Sequence, residues 1–327
     1  MKRMILHAGL GKTGTTTIQA TLAHHRRALE GIGVAYPGAA DAHHDLIGAI
    51  HQLGPDHYWF TTRQVGAADA IAAGQRQMQA IVAAAARGTP LIFLSSELFQ
   101  TLNAVHLSAF DTHVAGLGYQ LETVVFIRDP YPWYASRIQQ SVKQGSARID
   151  EMLARGYRHL SIVQLRAALK ALGRDRVHVL RMEEAAAQGL TRTLLATGGI
   201  SPPPGQIDDL PRNIGVSRQA VYLFDALRAV DDDAQTLRHR HVSRLLSLPG
   251  DRFTLPPDIA ADIASRVAEE QEWLHRRVGF GYPTAPPTDG PTHSELTAWA
   301  RDELPRFLNQ KRRGVPGWLR RSPARSG

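Results

Sequence analysis

Three glycines, one lysine and four threonines lie close together near the start of the chain, where residues 4 to 17 read M-I-L-H-A-G-L-G-K-T-G-T-T-T. Because glycine lacks a Cβ atom, the backbone N–H groups of such a turn can approach an anion closely. Threonine hydroxyls add further donors. Lys12 would lie near the N-terminus of the following helix, whose partial positive charge disfavours a lysine. An anion bound between the lysine and the helix would make this position favourable. The segment therefore predicts a site for a phosphate-like group.

The predicted elements around this turn are a strand that begins at Met4 and a helix from Thr17 to Leu29. A nucleotide-triphosphate loop has the pattern G-x-x-x-x-G-K-[ST], and the first glycine of that pattern would fall on Leu6. The ring of amides around a β-phosphate would then be incomplete. The sequence thus argues against a triphosphate loop of the usual kind.

A second motif covers residues 126 to 141, which read F-I-R-D-P-Y-P-W-Y-A-S-R-I-Q-Q-S. Arg128 ends a predicted strand from Leu121 to Ile127, and Ser136 follows eight residues later on the next predicted helix. Arginine offers bidentate donors to a phosphate, and serine adds one more. The plainer interpretation is an Arg128–Asp129 structural pair beside an ordinary helical serine. Asp129 could also be taken for a magnesium ligand, but the arginine before it weighs against a metal there.

Together the two motifs resemble those of sulfotransferases that use 3′-phosphoadenosine 5′-phosphosulfate (PAPS), above all bacterial members with a K-T-G-T-T loop. The resemblance covers Met4 to about Tyr282, and it implies that the first motif binds the 5′-phosphosulfate while Arg128 and Ser136 bind the 3′-phosphate. Well-studied cytosolic members carry a second basic loop, R-K-G, which is absent here; Arg212-Asn213 is a guess at its substitute. The first motif's implied cofactor-binding residues are Gly11, Lys12, Thr13, Gly14, Thr15, Thr16 and Thr17.

Sulfuryl transfer requires an in-line attack by the acceptor oxygen, a base that takes its proton, and stabilisation of the charge that builds on the bridging oxygen. The last task falls to Lys12. The candidate bases are Glu97, His44 and His43. Sugar sulfotransferases often use a glutamate and cytosolic ones a histidine, so both remain open. We favour Glu97, which follows a predicted strand, as the base, with His44 orienting the acceptor. The plainer interpretations are a Glu97 salt bridge to Lys12 or Arg128 and a solvated histidine loop.

The composition sets limits on these interpretations. The chain has 327 residues, 43% of them hydrophobic, which is enough for a globular domain with a real core. It has no cysteine, no signal-peptide pattern and no long apolar run, so we expect a cytoplasmic protein without a membrane span. No metal-ligand spacing appears, and the reaction needs no metal. The net charge of +8 fits an anionic ligand, and we see no pattern typical of nucleic-acid binding.

Strands that alternate with helices predict an α/β fold, a P-loop-like doubly wound parallel sheet of about five strands flanked by helices, with a helical C-terminal part. We divide the domain 1–283 into a cofactor-binding core, 1–197, and a helical part, 212–283. Residues 284–327 form a proline-rich and basic tail. That tail is either a solvated segment or a peripheral contact with membrane or polyanion through Trp318 and Leu319.

The sequence thus favours a sulfotransferase that converts PAPS to adenosine 3′,5′-bisphosphate (PAP) and modifies a hydroxyl or amine of a small molecule, lipid or glycan. Two alternatives stay open: a P-loop kinase or NTPase, which would need Mg²⁺ and a complete triphosphate loop, and a non-catalytic nucleotide-binding protein. The acceptor is not readable from the sequence. We expect its specificity to come from residues 36 to 62, the C-terminal helices and the tail.

Overall fold

The computed structural model of the protein describes residues 1–9, 11–50, 66–203, 205–210, 215–230, 241–282 and 285–309. Several sequence predictions concern residues outside these ranges. They are the part of the acceptor region from 51 to 62, the Arg212-Asn213 pair, and the basic tail from Lys311 onward with Trp318 and Leu319.

A five-stranded sheet in the order β2-β3-β1-β4-β5 forms the centre of the fold, and all neighbouring strands run parallel. This confirms the predicted α/β class, with a parallel sheet flanked by helices and a helical C-terminal part. The strands are β1 (Lys2–Ala8), β2 (Val34–Ala35), β3 (Leu91–Ser96), β4 (Tyr119–Ile127) and β5 (Val177–Arg181).

Helices connect the strands and build the C-terminal part. They are α1 (Thr15–His24), α2 (Arg26–Gly31), α3 (Ile47–Ile50), α4 (Ala67–Ala86), α5 (Ala104–Gly116), α6 (Pro130–Gln144), α7 (Ile149–Ala154), α8 (Leu160–Leu172), α9 (Met182–Gln188), α10 (Leu190–Thr197), α11 (Arg218–Val230), α12 (Pro257–Val278) and α13 (His293–Asn309). No helix in the described ranges combines the length and apolar composition that crossing a membrane requires.

The central strands are apolar on both faces because helices cover the sheet on both sides. One core packs α4, α5 and α8 against the sheet, and a second packs α1 and α10 against the opposite face. A third core joins α6 to α11, α12 and α13. Helix α6 thus belongs to the C-terminal part although it begins directly after β4. This attachment fixes the position of the helix that carries Ser136 and follows Arg128.

Two predicted elements differ from the observed ones. The predicted helix from Thr17 to Leu29 is divided at His25, which separates α1 from α2. Part of the predicted proline-rich and basic tail is the helix α13, which packs against α11. This helix packs because one of its faces is apolar. The proline-rich segment before it led us to predict a tail instead. The buried residues of that face are Leu296, Ala300, Leu304 and Phe307.

The carboxyl ends of the strands bring three loops to one edge of the sheet. His7 lies opposite Ser95 and Ala8 opposite Ser96, so β1 and β3 end level with each other, while β4 continues to Ile127 on the other side of β1. Open parallel sheets bind their ligands at this edge. The glycine-rich turn, the segment after β3 and the start of α6 therefore meet there.

Candidate functional site

The glycine-rich turn is shaped by two side chains that bond its carbonyl groups. Arg128 Nη1 donates to Lys12 O at 3.0 Å, and Trp133 Nε1 donates to Gly11 O at 3.1 Å. In a trans peptide the C=O and the next N–H point in opposite directions. The N–H groups of Lys12 and Thr13 therefore point away from these two side chains, an arrangement that could present them to an anion.

Close packing explains the glycines at both ends of the turn. A Cβ atom on Gly9 would lie 2.2 Å from Thr15 Cγ2, and one on Gly14 would lie 2.4 Å from Leu190 Cδ1. Gly14 also has a φ of 78° where it caps α1, a conformation that favours glycine. At Gly9 the contact with the short Thr15 side chain leaves little room for a Cβ atom, whereas at Gly14 the positive φ is the stronger reason for glycine.

The four threonines of the motif divide into two kinds. Thr13 and Thr15 are buried, and their hydroxyl oxygens lie 3.4 Å apart. Thr16 is exposed and Thr17 is half-buried. Among the predicted binding residues, Thr13 and Thr15 can therefore offer backbone N–H groups, whereas Thr16 and Thr17 can also offer hydroxyls.

The Lys12 ammonium lies against α6, where Nζ donates to Gln140 Oε1 at 2.8 Å. Burial lowers the pKa of Lys12 to about 8; the Glu97 carboxylate opposes the shift, and the nearby cations Lys143, Arg137 and Arg128 add to it. A group of cations around one lysine is unfavourable until an anion joins them. A negatively charged ligand beside Lys12 would relieve this repulsion.

Arg128 and Ser136 come together as the sequence predicts. Arg128 Nη1 donates to Ser136 Oγ at 2.9 Å while it also holds Lys12 O, so one guanidinium group connects both motifs.

The Asp129 carboxylate accepts a hydrogen bond from Tyr131 N at 3.0 Å and caps α6. This structural role counts against magnesium binding by Asp129, and no cluster of metal-ligating side chains is found within the described part of the chain.

Glu97 follows β3 immediately and lies in the same cleft as Lys12. Burial raises the pKa of its carboxyl group, and the charge of Lys12 opposes that shift. Neither Lys12 nor Arg128 forms an ion pair with Glu97 within the described ranges; Lys12 bonds Gln140, and Arg128 pairs with Glu183. A buried carboxyl group with a raised pKa is suited to accept a proton near neutral pH.

The two histidines have different environments. His44 Nδ1 lies 2.7 Å from Ser96 Oγ, which places the ring next to Glu97 at the end of β3. His43 is buried; its Nδ1 accepts from Ser95 N at 3.1 Å, its Nε2 donates to Pro37 O at 2.8 Å, and burial lowers its pKa to about 4. His43 thus has both ring nitrogens engaged in structural contacts, which leaves His44 as the histidine beside the cleft.

Sequence reasoning missed the residues of α6 that support the turn. Trp133 and Gln140 lie on the face that also carries Ser136, and they contact Gly11 and Lys12 respectively. His159 stacks on Trp133 with 4.3 Å between ring centroids and lies 3.3 Å from Arg128 O. The spacing of 3 to 4 residues on a helix already put Trp133, Ser136 and Gln140 on one side, and this was the available signal.

No family model and no curated protein matches the chain. Among solved structures, it is similar to the crystal structure of a sulfotransferase from Alicyclobacillus acidocaldarius, with 17% sequence identity and a TM-score of 0.41 over 75% of this chain and 99% of that one. Overlap at this level is too loose to assign a function, which has to rest on the geometry of the site.

Lys12 has a positive φ of 74°, which is strained for a residue with a side chain. We expect Lys12→Gly to be more stable than Lys12→Ala by about 1 kcal/mol, because only glycine adopts this conformation without strain. Urea unfolding of both variants measures the difference. As a control, Ala268→Gly in the exposed middle of α12 should reduce stability, since its backbone is helical. Equal stability of the two Lys12 variants would contradict the strain.

Proposed function

We propose that the protein is a sulfotransferase that moves a sulfuryl group from PAPS to a hydroxyl or amine of a small molecule, lipid or glycan. The observation that carries the proposal is the double role of Arg128, whose guanidinium contacts both Ser136 and the backbone of Lys12. It places a second cationic site next to the glycine-rich turn. A nucleotide with two separate anionic groups, a 5′-phosphosulfate and a 3′-phosphate, has the matching charge distribution.

In this proposal the backbone N–H groups of residues 11 to 17 and the exposed threonine hydroxyls hold the 5′-phosphosulfate. Arg128 and Ser136 hold the 3′-phosphate. Lys12 stabilises the negative charge that builds on the bridging oxygen as the S–O bond breaks. Glu97 takes the proton from the acceptor while the acceptor oxygen attacks sulfur, and His44 orients the acceptor.

Two observations favour this nucleotide over a magnesium-bound triphosphate. Leu6 is fully buried in β1, where a triphosphate loop would require a glycine in the turn. The Asp129 carboxylate caps α6 rather than facing the turn as a free magnesium ligand. For a kinase or NTPase, this chain has leucine in place of the first loop glycine, and the Asp129 carboxylate is already used to cap a helix.

Thermal unfolding with added nucleotides tests the proposal. A ligand that binds only the native state raises stability by RT ln(1 + [L]/Kd). We expect PAP to raise the midpoint temperature without any metal, and ATP with Mg²⁺ to raise it less at equal concentration. Stabilisation by ATP with Mg²⁺ alone would contradict the proposal and support the triphosphate alternative.

The 3′-phosphate site leads to a graded prediction. Both side chains would donate to a charged phosphate, but Arg128 also brings a full positive charge and more than one N–H donor, so Arg128→Ala should weaken PAP binding more than Ser136→Ala. Calorimetry with PAP and with AMP, which lacks the 3′-phosphate, measures the difference. AMP should lose much less affinity than PAP in both variants. If both variants still distinguish PAP from AMP as strongly as the wild type, Arg128 and Ser136 do not bind that phosphate.

A further inference from the structure

Glu183 occupies the immediate neighbourhood of Arg128. Its Oε1 lies 3.8 Å from Arg128 Nε and accepts from Asp129 N at 3.3 Å. Its Oε2 accepts a hydrogen bond from the Tyr282 hydroxyl at 2.8 Å. Glu183 stands in the first turn of α9, directly after β5, at the same edge of the sheet as the glycine-rich turn.

The guanidinium group beside it has an unused donor. Arg128 Nη1 is engaged by Lys12 and Ser136, but the buried Nε has no hydrogen-bond partner. At 3.8 Å the Glu183 carboxylate is too distant to accept from Nε. A buried donor left in this way costs free energy that a closer acceptor would recover. Glu183 therefore places a negative charge near Arg128 but does not accept a hydrogen bond from its Nε–H group.

We propose that the Glu183 carboxylate is an internal competitor for the phosphate that Arg128 binds, and that the arriving phosphate displaces it. This inference rests on the proposed nucleotide function. Two negative groups beside one guanidinium repel each other, so phosphate binding and the observed position of Glu183 oppose each other. Glu183 thereby sets how strongly the protein selects nucleotides that carry the second phosphate.

The surroundings of Glu183 permit the displacement. The side chain is 45% exposed, so a rotamer change can carry the carboxylate into solvent. The Tyr282 hydroxyl has a single hydrogen but lies within bonding distance of two acceptors, Glu183 Oε2 and Ile127 O. When the carboxylate leaves, that hydrogen can pass to Ile127 O, while the exposed Asp129 N–H loses Glu183 Oε1 and can bond water instead. Burial raises the pKa of Tyr282, which keeps this hydrogen in place.

The test is a calorimetric titration of Glu183→Gln with PAP and with AMP. The amide keeps the shape of the side chain and removes its charge. From the screened interaction of charges near a surface we expect PAP to bind about five- to tenfold more tightly than in the wild type, and AMP to change by less than about twofold. Tyr282→Phe removes one donor that holds the carboxylate and should shift PAP affinity in the same direction by a smaller factor.

The matched control is Glu184→Gln. Glu184 is the next residue, it is 63% exposed, and it pairs with Arg181 at 2.7 Å rather than with Arg128. Its substitution changes the net charge equally and should leave the PAP-to-AMP selectivity at the wild-type value. If Glu183→Gln binds PAP no more tightly than Glu184→Gln does, or binds it more weakly, Glu183 is not a competitor.

The wild-type titration separates the two possible failures. If the wild type selects PAP over AMP while Glu183→Gln shows no gain, the proposed function stands and the competition is refuted. If the folded wild type binds no PAP, both are refuted.

Discussion

Lys12→Ala lowers the rate of sulfuryl transfer by at least about 10²–10³-fold, the effect typical of removing one group that stabilises developing charge. Lys12 is the cation that the glycine-rich turn presents, and its ammonium donates to Gln140 on α6. Lys12→Arg recovers part of the rate, because its charge is retained while its planar group is larger and differently shaped. Wild-type turnover by the alanine variant would remove Lys12 from the mechanism.

The pH dependence gives this prediction a second readout. Burial lowers the pKa of Lys12 to about 8 in the free protein, and a bound anion raises it again. Because the anion prefers the protonated lysine, nucleotide affinity should fall as the pH rises above about 8. Calorimetry across this range should show the decline in the wild type and its absence in Lys12→Ala. If nucleotide affinity declines equally in both proteins, a group other than Lys12 causes the decline.

Glu97→Gln lowers kcat by about 10²–10⁴-fold, the contribution expected of a correctly placed general base. The amide keeps the shape of the side chain but cannot accept the proton. Because Glu97 interacts with Lys12 only through its charge, removal of that charge should not weaken PAP binding, so the loss of kcat should appear without a loss of PAP affinity. Steady-state kinetics measures kcat, and calorimetry on the same sample measures the affinity.

His44→Asn is the matching variant for the other candidate base. His44 Nδ1 contacts Ser96 Oγ, and an orienting role predicts a higher KM for the acceptor with a smaller loss of kcat. A Glu97→Gln variant that keeps its rate, together with a His44→Asn variant that loses it, would reverse the two roles. The buried and fully engaged His43 is unsuited to either of them.

The parallel sheet could be predicted because it follows from local patterns, and the meeting of Arg128 with Ser136 because their types and spacing match a motif of the family that the sequence resembles. Short apolar runs indicate buried strands, and the carboxyl ends of parallel strands share one edge. The contacts of Trp133 with Gly11 and of Gln140 with Lys12 join residues more than 100 positions apart. No local pattern specifies such pairs, since they depend on how α6 packs against the C-terminal helices.

The contacts of Glu183 could not be predicted from local sequence patterns either. Its partners Arg128 and Tyr282 lie 55 positions before it and 99 positions after it, on elements that only the folded sheet brings together. The plainer interpretations of the sequence paired Arg128 with its neighbour Asp129 or with Glu97. In the structure Asp129 caps α6, because an aspartate just before a helix can bond the free N–H groups of its first turn.

Transfer of label from PAPS tests the central claim most directly. A cell extract is incubated with isotopically labelled PAPS and either the wild type or Lys12→Ala, and mass spectrometry compares the products. We predict that labelled sulfated species form with the wild type and are absent with the alanine variant. Failure of the wild type to form any labelled species, or equal yields from both proteins, would contradict sulfuryl transfer at this site.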